Sequence, residues 1–473
     1  MTGMFLSVFG RVARGVGTRL RSAMVLALAL LLITGLAPLP AGMRILGARP
    51  APARQASSAT QDASALEATQ EVLGSVSRLR ELNILQPVKS GVKTHDEIEQ
   101  SVILDLDENT PREELEASAK TLAKFGLVPA GFPLRDYEVK LLREQVAGYY
   151  EPKTKMFYLA SWIPASEQKT VMAHELTHAL QDQHFNLRRL DHWPRGDSDA
   201  ELAAHSLVEG EATVIMMMYS AEQAGYKLDV RHLGPLTASM QKEMQETDSD
   251  KYPVLSGAPL ILREGLQFPY VYGIGFVQEV LKERSWAALD AGYSRLPAST
   301  KQIMHPDRFL THDDPVKIAI TELGPALGRG WKRIDWDVNG EFGYLMVLSQ
   351  FIGRGPASAA AQGWSGDQYV LYENERGGLV LAQFTSWEGA AEARRFFEAY
   401  SARTQARYKV DGPVRNTATA RTYKTDEGLV QIEIRDNDVI VVEGAESGDQ
   451  LAKVVDSVWK SKKAIPATAV QKL

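Results

Sequence analysis

Apolar residues in 66–82 recur every three or four positions, the spacing of a helix with one face in a core. A short aliphatic run at 101–106 reads as a strand. Thr110-Pro111-Arg112-Glu113-Glu114 predicts a helix start with Thr110 as cap and the proline in the first turn, ending near Phe125-Gly126. The pattern over 145–159 is strand, turn, strand, with the turn at Glu151-Pro152-Lys153-Thr154. Ser166 is placed to cap the next helix, which runs through Gln181 and Gln183. Asp197-Ser198-Asp199 opens another, reaching to about Tyr219. Residues 223–265 are polar and irregular apart from a helix over 235–246. A Tyr- and Gly-rich turn then feeds a helix within 268–283, and Pro297-Ala298-Ser299-Thr300 begins a short helix that stops at His305-Pro306.

The pattern changes after Trp336. Segments 369–372, 379–384, 419–423, 430–434 and 439–442 are strand-like, and helical spacing appears at 389–401 and 450–459. The chain is therefore expected to be α+β: a mainly helical domain with a small sheet over 65–335, then an α+β accessory domain over 336–465. The second half contains no histidine after His312, so it reads as a structural or binding module.

The N-terminus reads as an export segment. Arg11, Arg14, Arg19 and Arg21 precede an apolar run over 23–37 that Pro38 ends, short for a membrane span. Residues 1–43 are read as a signal peptide or an uncleaved N-terminal anchor, and 44–64, rich in Ala, Pro, Ser and Gln, as a flexible tether. The protein is expected to be exported: periplasmic, cell-surface or secreted, with membrane tethering through the apolar segment left open. No acidic residue precedes Asp62, so loss of the first 54 residues would move the formal charge from −6 to −13. That acidity, with no basic stripe elsewhere, argues against a nucleic-acid partner. The chain has no cysteine, which leaves only nitrogen and oxygen ligands for a metal and no site for a lipid anchor.

One stretch carries the chemistry: His174-Glu175-Leu176-Thr177-His178. On a helix, residues four apart project from one face, so both imidazoles can grip one ion while Glu175 handles the proton of an attacking water. Two histidines do not complete a catalytic zinc site, which takes three protein ligands. His184 stands at the third-histidine spacing of H-E-x-x-H-x-x-G-x-x-H, but the glycine that turns the chain there is Gln181 here. If the helix continues, His184 points about 120° away from His178. Glu209 is the other candidate, in Leu207-Val208-Glu209-Gly210-Glu211-Ala212 on the following helix, where Gly210 and Ala212 allow close packing against the histidine helix. Glu211, about 200° around, is expected to be solvated, and His205 reads as a surface histidine.

His174-Glu175-x-x-His178 followed by a Glu-Gly-x-Ala helix resembles the gluzincin group of zinc metallopeptidases, over 145–220 only. The stretch 173–185 is also similar to poorly characterised exported bacterial proteins. The resemblance implies a zincin-type fold, one zinc ion on His174, His178 and Glu209, and Glu175 as general base in peptide-bond hydrolysis. Many gluzincins carry an Asp one turn after the third ligand to orient the first histidine; Thr213 stands there. Asp182 is either an orienting partner for an imidazole or a solvated helix residue. Tyr272 and His305 are candidates for a second electrophile. The hairpin before the helix is either an edge for an extended peptide substrate or plain core sheet. The competing expectations are a protease scaffold that binds without turnover and a metal-dependent amidase acting on a non-peptide substrate.

Overall fold

The computed structural model describes residues 58–464 except His192 and 246–250; the N-terminal apolar segment lies outside the described residues. Among those described, no helix is long and apolar enough to cross a membrane. The chain is mixed α and β. It opens with α1 (Ser58–Arg80), β1 (Lys89–Lys93), α2 (His95–Asn109), α3 (Arg112–Phe125) and α4 (Leu134–Gln145). The hairpin β2 (Gly148–Glu151) and β3 (Met156–Ala160) leads into α5 (Ala165–Phe185) and α6 (Ser198–Gln223). Helices α7 (Leu236–Gln245), α8 (Leu260–Glu283), α9 (Trp286–Ser294), α10 (Thr300–Met304) and α11 (Pro306–Leu310) follow.

Local signals explain several departures from expectation. Residues 101–106 are helical, not a strand, because Thr94 and Glu97 form a capping box that starts α2. That helix buries Ile98, Val102 and Leu106 on one face. Thr110 closes α2 through its N–H on Leu106 O (2.9 Å), and the cap position of α3 is Pro111. Ser166 lies inside the first turn of α5, whose cap position is Pro164, and makes no capping bond. The last part of the expected tether, 58–64, already belongs to α1. The turn expected near 268 is absent: α8 is one helix with Pro269 inside it.

Helices α5, α6 and α8 form the centre, with α1 packed on α5 and α6. Where α6 crosses α8, a Cβ on Gly210 would stand 2.3 Å from the Gly273 carbonyl carbon. A Cβ on Gly273 would stand 2.3 Å from the Ser206 carbonyl oxygen. Only glycine at both positions lets the backbones meet. Gly210 thus serves α8, rather than α5 as the sequence suggested. The hairpin and β1 form a three-stranded sheet, order β1-β3-β2, with β1 parallel to β3.

The second half holds β5 (Lys332–Asp337), α12 (Gly340–Ile352), α13 (Arg354–Ala361), β6 (Trp364–Glu373), β7 (Leu379–Trp387) and α14 (Ala390–Tyr408). It continues with β8 (Arg415–Asn416), β9 (Ala420–Thr425), β10 (Gly428–Arg435), β11 (Asp438–Ala445) and α15 (Gly448–Val458). A short pair, β4 (Lys317–Ala319) with β12 (Lys462–Ala464), stands apart. The large sheet runs β5-β6-β7-β11-β10-β9-β8, antiparallel throughout. Period-two alternation sends Tyr369 and Leu371 to the core shared with α14, and Val370 and Tyr372 to the core under α15. The first of these cores is continuous with that around α6 and α8. Buried Arg403 pairs with Glu443 (2.9 Å) and donates to Phe125 O at the end of α3 (2.6 Å).

Candidate metal centre

Three side chains from two helices converge at the centre of the molecule. His174 and His178 lie one turn apart on α5, and Glu209 projects from α6. His178 Nε2 is 2.9 Å from His174 Nε2, His174 Nε2 is 3.2 Å from Glu209 Oε2, and His178 Nε2 is 3.4 Å from the same oxygen. A tetrahedral ion with N/O bonds of ~2.0–2.1 Å has ligand-to-ligand edges of roughly 3.3 Å. The triangle matches that size, and this buried group could hold a metal ion.

Hydrogen bonding fixes the tautomer of His178. Gln181 Nε2 donates to Val208 O (3.0 Å), so its Oε1 faces His178 Nδ1 (2.7 Å). An amide oxygen only accepts, so Nδ1 carries the hydrogen and Nε2 presents its lone pair. Glu209 presents a second lone pair beside it. A cation satisfies both where neutral groups would repel. Burial presses the His174 pKa down to about 4, against the pull of Glu209, so its ring is neutral near neutral pH and can ligate. Burial alone would raise the Glu209 carboxyl; positive charge at the imidazole nitrogens, a ring proton or a metal ion, opposes and outweighs it.

Glu175 reaches the hairpin, where Tyr150 N–H donates to its Oε2 (2.9 Å). Burial, then the Glu209 charge, push Glu175 well above the usual carboxylate range, opposed by that N–H. All four residues of β2 are buried, and the outward N–H of Tyr150 is taken by Glu175. The hairpin therefore acts as core sheet that positions the carboxylate, and its Tyr150 N–H is not open to an extended peptide.

A residue not anticipated from sequence completes the surroundings. Tyr270 on α8 is buried, and its hydroxyl makes no well-formed hydrogen bond, yet Glu209 and Glu175 stand close enough to add to the effect of burial in raising its pKa. It lies one turn before Gly273, so the glycine crossing that joins α6 to α8 delivers it beside Glu209. Tyr272, the sequence candidate, faces the other way: its hydroxyl accepts from Gln241 Nε2 (3.0 Å) and Arg354 Nη2 (3.2 Å).

The remaining candidates lie elsewhere. His305 pairs with Glu341 (2.8 Å) in a separate cavity. His184 bonds Asn83 O (2.8 Å), outside the cluster. Asp182 bonds no imidazole among the described residues; it accepts from Tyr150 Oη (2.9 Å) and Leu187 N (3.1 Å) and pairs with Lys155. Gln181 does the orienting instead. Thr213 returns its hydroxyl to Glu209 O (2.7 Å), and His174 Nδ1 has no hydrogen-bond partner among the described residues. His205 is buried, not at the surface. Glu211 is also buried rather than solvated, bonded to Arg80 Nε (2.6 Å) and Tyr293 Oη (2.8 Å). Arg80 closes the far end of α1, which the sequence offered no reason to pair with α6.

Residues 330–455 match a family model described as a domain of unknown function (DUF8575). The match takes in the large sheet and neither the histidine helix nor Glu209. No curated protein and no solved structure matches the chain.

Proposed function

We propose that the protein is a zinc-dependent hydrolase of peptide bonds. The observation that carries the reading is the convergence of His174 Nε2, His178 Nε2 and Glu209 Oε2, with Glu175 on the same helix. Catalytic zinc takes three protein ligands of these types, whereas a structural site closes with four. The chemistry the ion supplies when bound is activation of water near neutral pH and polarisation of an amide carbonyl.

The chain's residues do the rest. Glu175 takes the proton of the attacking water at its carboxylate. It then passes that proton to the leaving amine. Tyr270, kept as the neutral phenol, donates a hydrogen bond to the oxygen that gains charge. Tyr150 N–H holds Glu175 in place. The groups are at most 2% exposed, so substrate reaches them only as their surroundings part. The export segment read from the N-terminus is consistent with a protein substrate outside the cytoplasm.

Glu175→Gln is the test. It keeps volume and the bond from Tyr150, so one zinc per chain should remain while casein hydrolysis falls by about 10²–10⁴-fold. Equal activity in wild type and variant would refute the assignment. Wild-type protein that holds zinc and cleaves no peptide, with or without chelator, would instead favour a scaffold that binds without turnover.

A further inference from the structure

His305 and Glu341, left out of the metal centre, belong to a second built site. They line a polar cavity of about 290 Å³ with Lys301, Arg308, Glu388 and Arg395. The cavity lies on a seam: Lys301, His305 and Arg308 come from α10, α11 and the link between them. Glu341, Glu388 and Arg395 come from the region that matches the family model.

Most charges there already have partners. Lys301 pairs with Glu388 (2.6 Å), Arg308 with Asp313 (2.9 Å) and Glu388 (3.2 Å), and Arg395 with Glu392 (3.0 Å). Glu341 is the exception. Its side chain is 3% exposed, Oε1 takes His305 Nε2 at 2.8 Å, and Oε2 has no hydrogen-bond partner among the described residues. A buried carboxylate oxygen left unpaired is costly, so the site calls for a hydrogen-bond donor beside Glu341.

We infer that this cavity binds a small zwitterion of the α-amino-acid class, its ammonium on Glu341 and its carboxylate towards Arg395 at the rim. The charge of the lining decides between this and a simple cation. Lys301, Arg308 and Arg395 stand among Asp307, Glu341, Glu388 and Glu392, so the lining carries both signs, and His305 bonds Glu341 (2.8 Å). A zwitterion meets both signs, its ammonium at the unpaired oxygen of Glu341 and its carboxylate at the guanidinium of Arg395; an ammonium compound alone meets only the first. The volume suits a single amino acid and excludes a folded segment. This inference stands whether or not the metal centre hydrolyses peptides.

The site is also joined to the metal helix. Next to Glu341, Phe342 N donates to Thr300 Oγ1 (3.2 Å), and Thr300 donates through Oγ1 (2.5 Å) and N (3.1 Å) to Asp199 in the first turn of α6. Occupancy at Glu341 should therefore stabilise the start of the helix that carries Glu209.

Titration calorimetry on the full chain tests the inference with L-alanine, methylamine and acetate as probes. L-alanine should bind saturably at about millimolar concentration or tighter, and raise the melting temperature. Methylamine and acetate should each bind at least about tenfold more weakly. Glu341→Gln, which keeps the shape, should weaken alanine about tenfold or more, with zinc content unchanged. Arg395→Ala, at the rim, should weaken alanine and leave methylamine unaffected. The inference is overturned if alanine gives no saturable heat, if methylamine binds as well as alanine, or if both variants bind alanine like the wild type.

Discussion

Gln181→Leu separates the proposed metal role of α5 from its packing role. In the wild type one buried amide makes two bonds, accepting from His178 Nδ1 at 2.7 Å and donating to Val208 O at 3.0 Å. Leucine fills similar space and leaves both groups without partners. Freed from Gln181, His178 can place its hydrogen on Nε2, where it blocks the lone pair that faces Glu209. Loss of such an orienting partner weakens metal binding about ten- to a hundredfold, or about 1.4–2.8 kcal/mol. Two buried polar groups without partners cost about 1–3 kcal/mol each, so the metal-free protein should lose about 2–6 kcal/mol. Competition with a chromophoric chelator measures the first quantity and urea unfolding of demetallated protein the second. Gln181→Glu supplies the internal control. It keeps an acceptor on His178, so zinc affinity should hold, but it loses the donor to Val208 O and should still destabilise the metal-free fold. Zinc bound by Gln181→Leu within about twofold of wild type would show that Gln181 does not set the tautomer.

Three further outcomes follow from the packing and charge of the fold. Gly273→Ala puts a methyl group against the Ser206 carbonyl, so α6 and α8 must separate; a loss of at least about 1–3 kcal/mol is expected, together with lower zinc occupancy, and a wild-type melting temperature would refute the close crossing. Arg80→Met leaves the Glu211 charge buried without its cation, costing about 3–5 kcal/mol, whereas adding Glu211→Gln should recover much of it; equal melting of single and double variants would contradict the pairing. Burial pushes Asp337 up to about 8 and Asp367 up to about 7, so the folded chain holds protons that the unfolded chain releases near pH 4. The stability from these groups is present below about pH 4 and is lost as pH rises through about 7 to 8, so melting temperature should fall across that window and fall less in Asp337→Asn. A melting temperature that rises from about pH 5 to about pH 8 would oppose this sign.

Much of the site was legible because it is written locally. His174, Glu175 and His178 share a helix turn, and helical geometry alone puts them together. Glu209 could be proposed because the glycine beside it marks a close helix crossing, although the partner turned out to be α8. The hairpin and the five central strands of the large sheet followed from two-residue alternation. Where local signals competed, the reading failed: the aliphatic run at 101–106 looked like a strand until its capping box and the burial of Ile98, Val102 and Leu106 decided for helix.

Tertiary structure alone decided the rest. That Tyr270 rather than Tyr272 meets Glu209 depends on which face of α8 Gly273 commits to α6, and two positions along a helix reverse the direction of a side chain. That Gln181 orients His178, while Asp182 serves the hairpin, depends on where Val208 O and Tyr150 fall in space. That Glu211 and His205 are buried depends on Arg80 and the elements packed over α6. Spacing along one helix reports which side chains can share an ion, because that geometry is set by the backbone itself. Which groups from distant segments complete the shell is set by packing, and no local pattern encodes it.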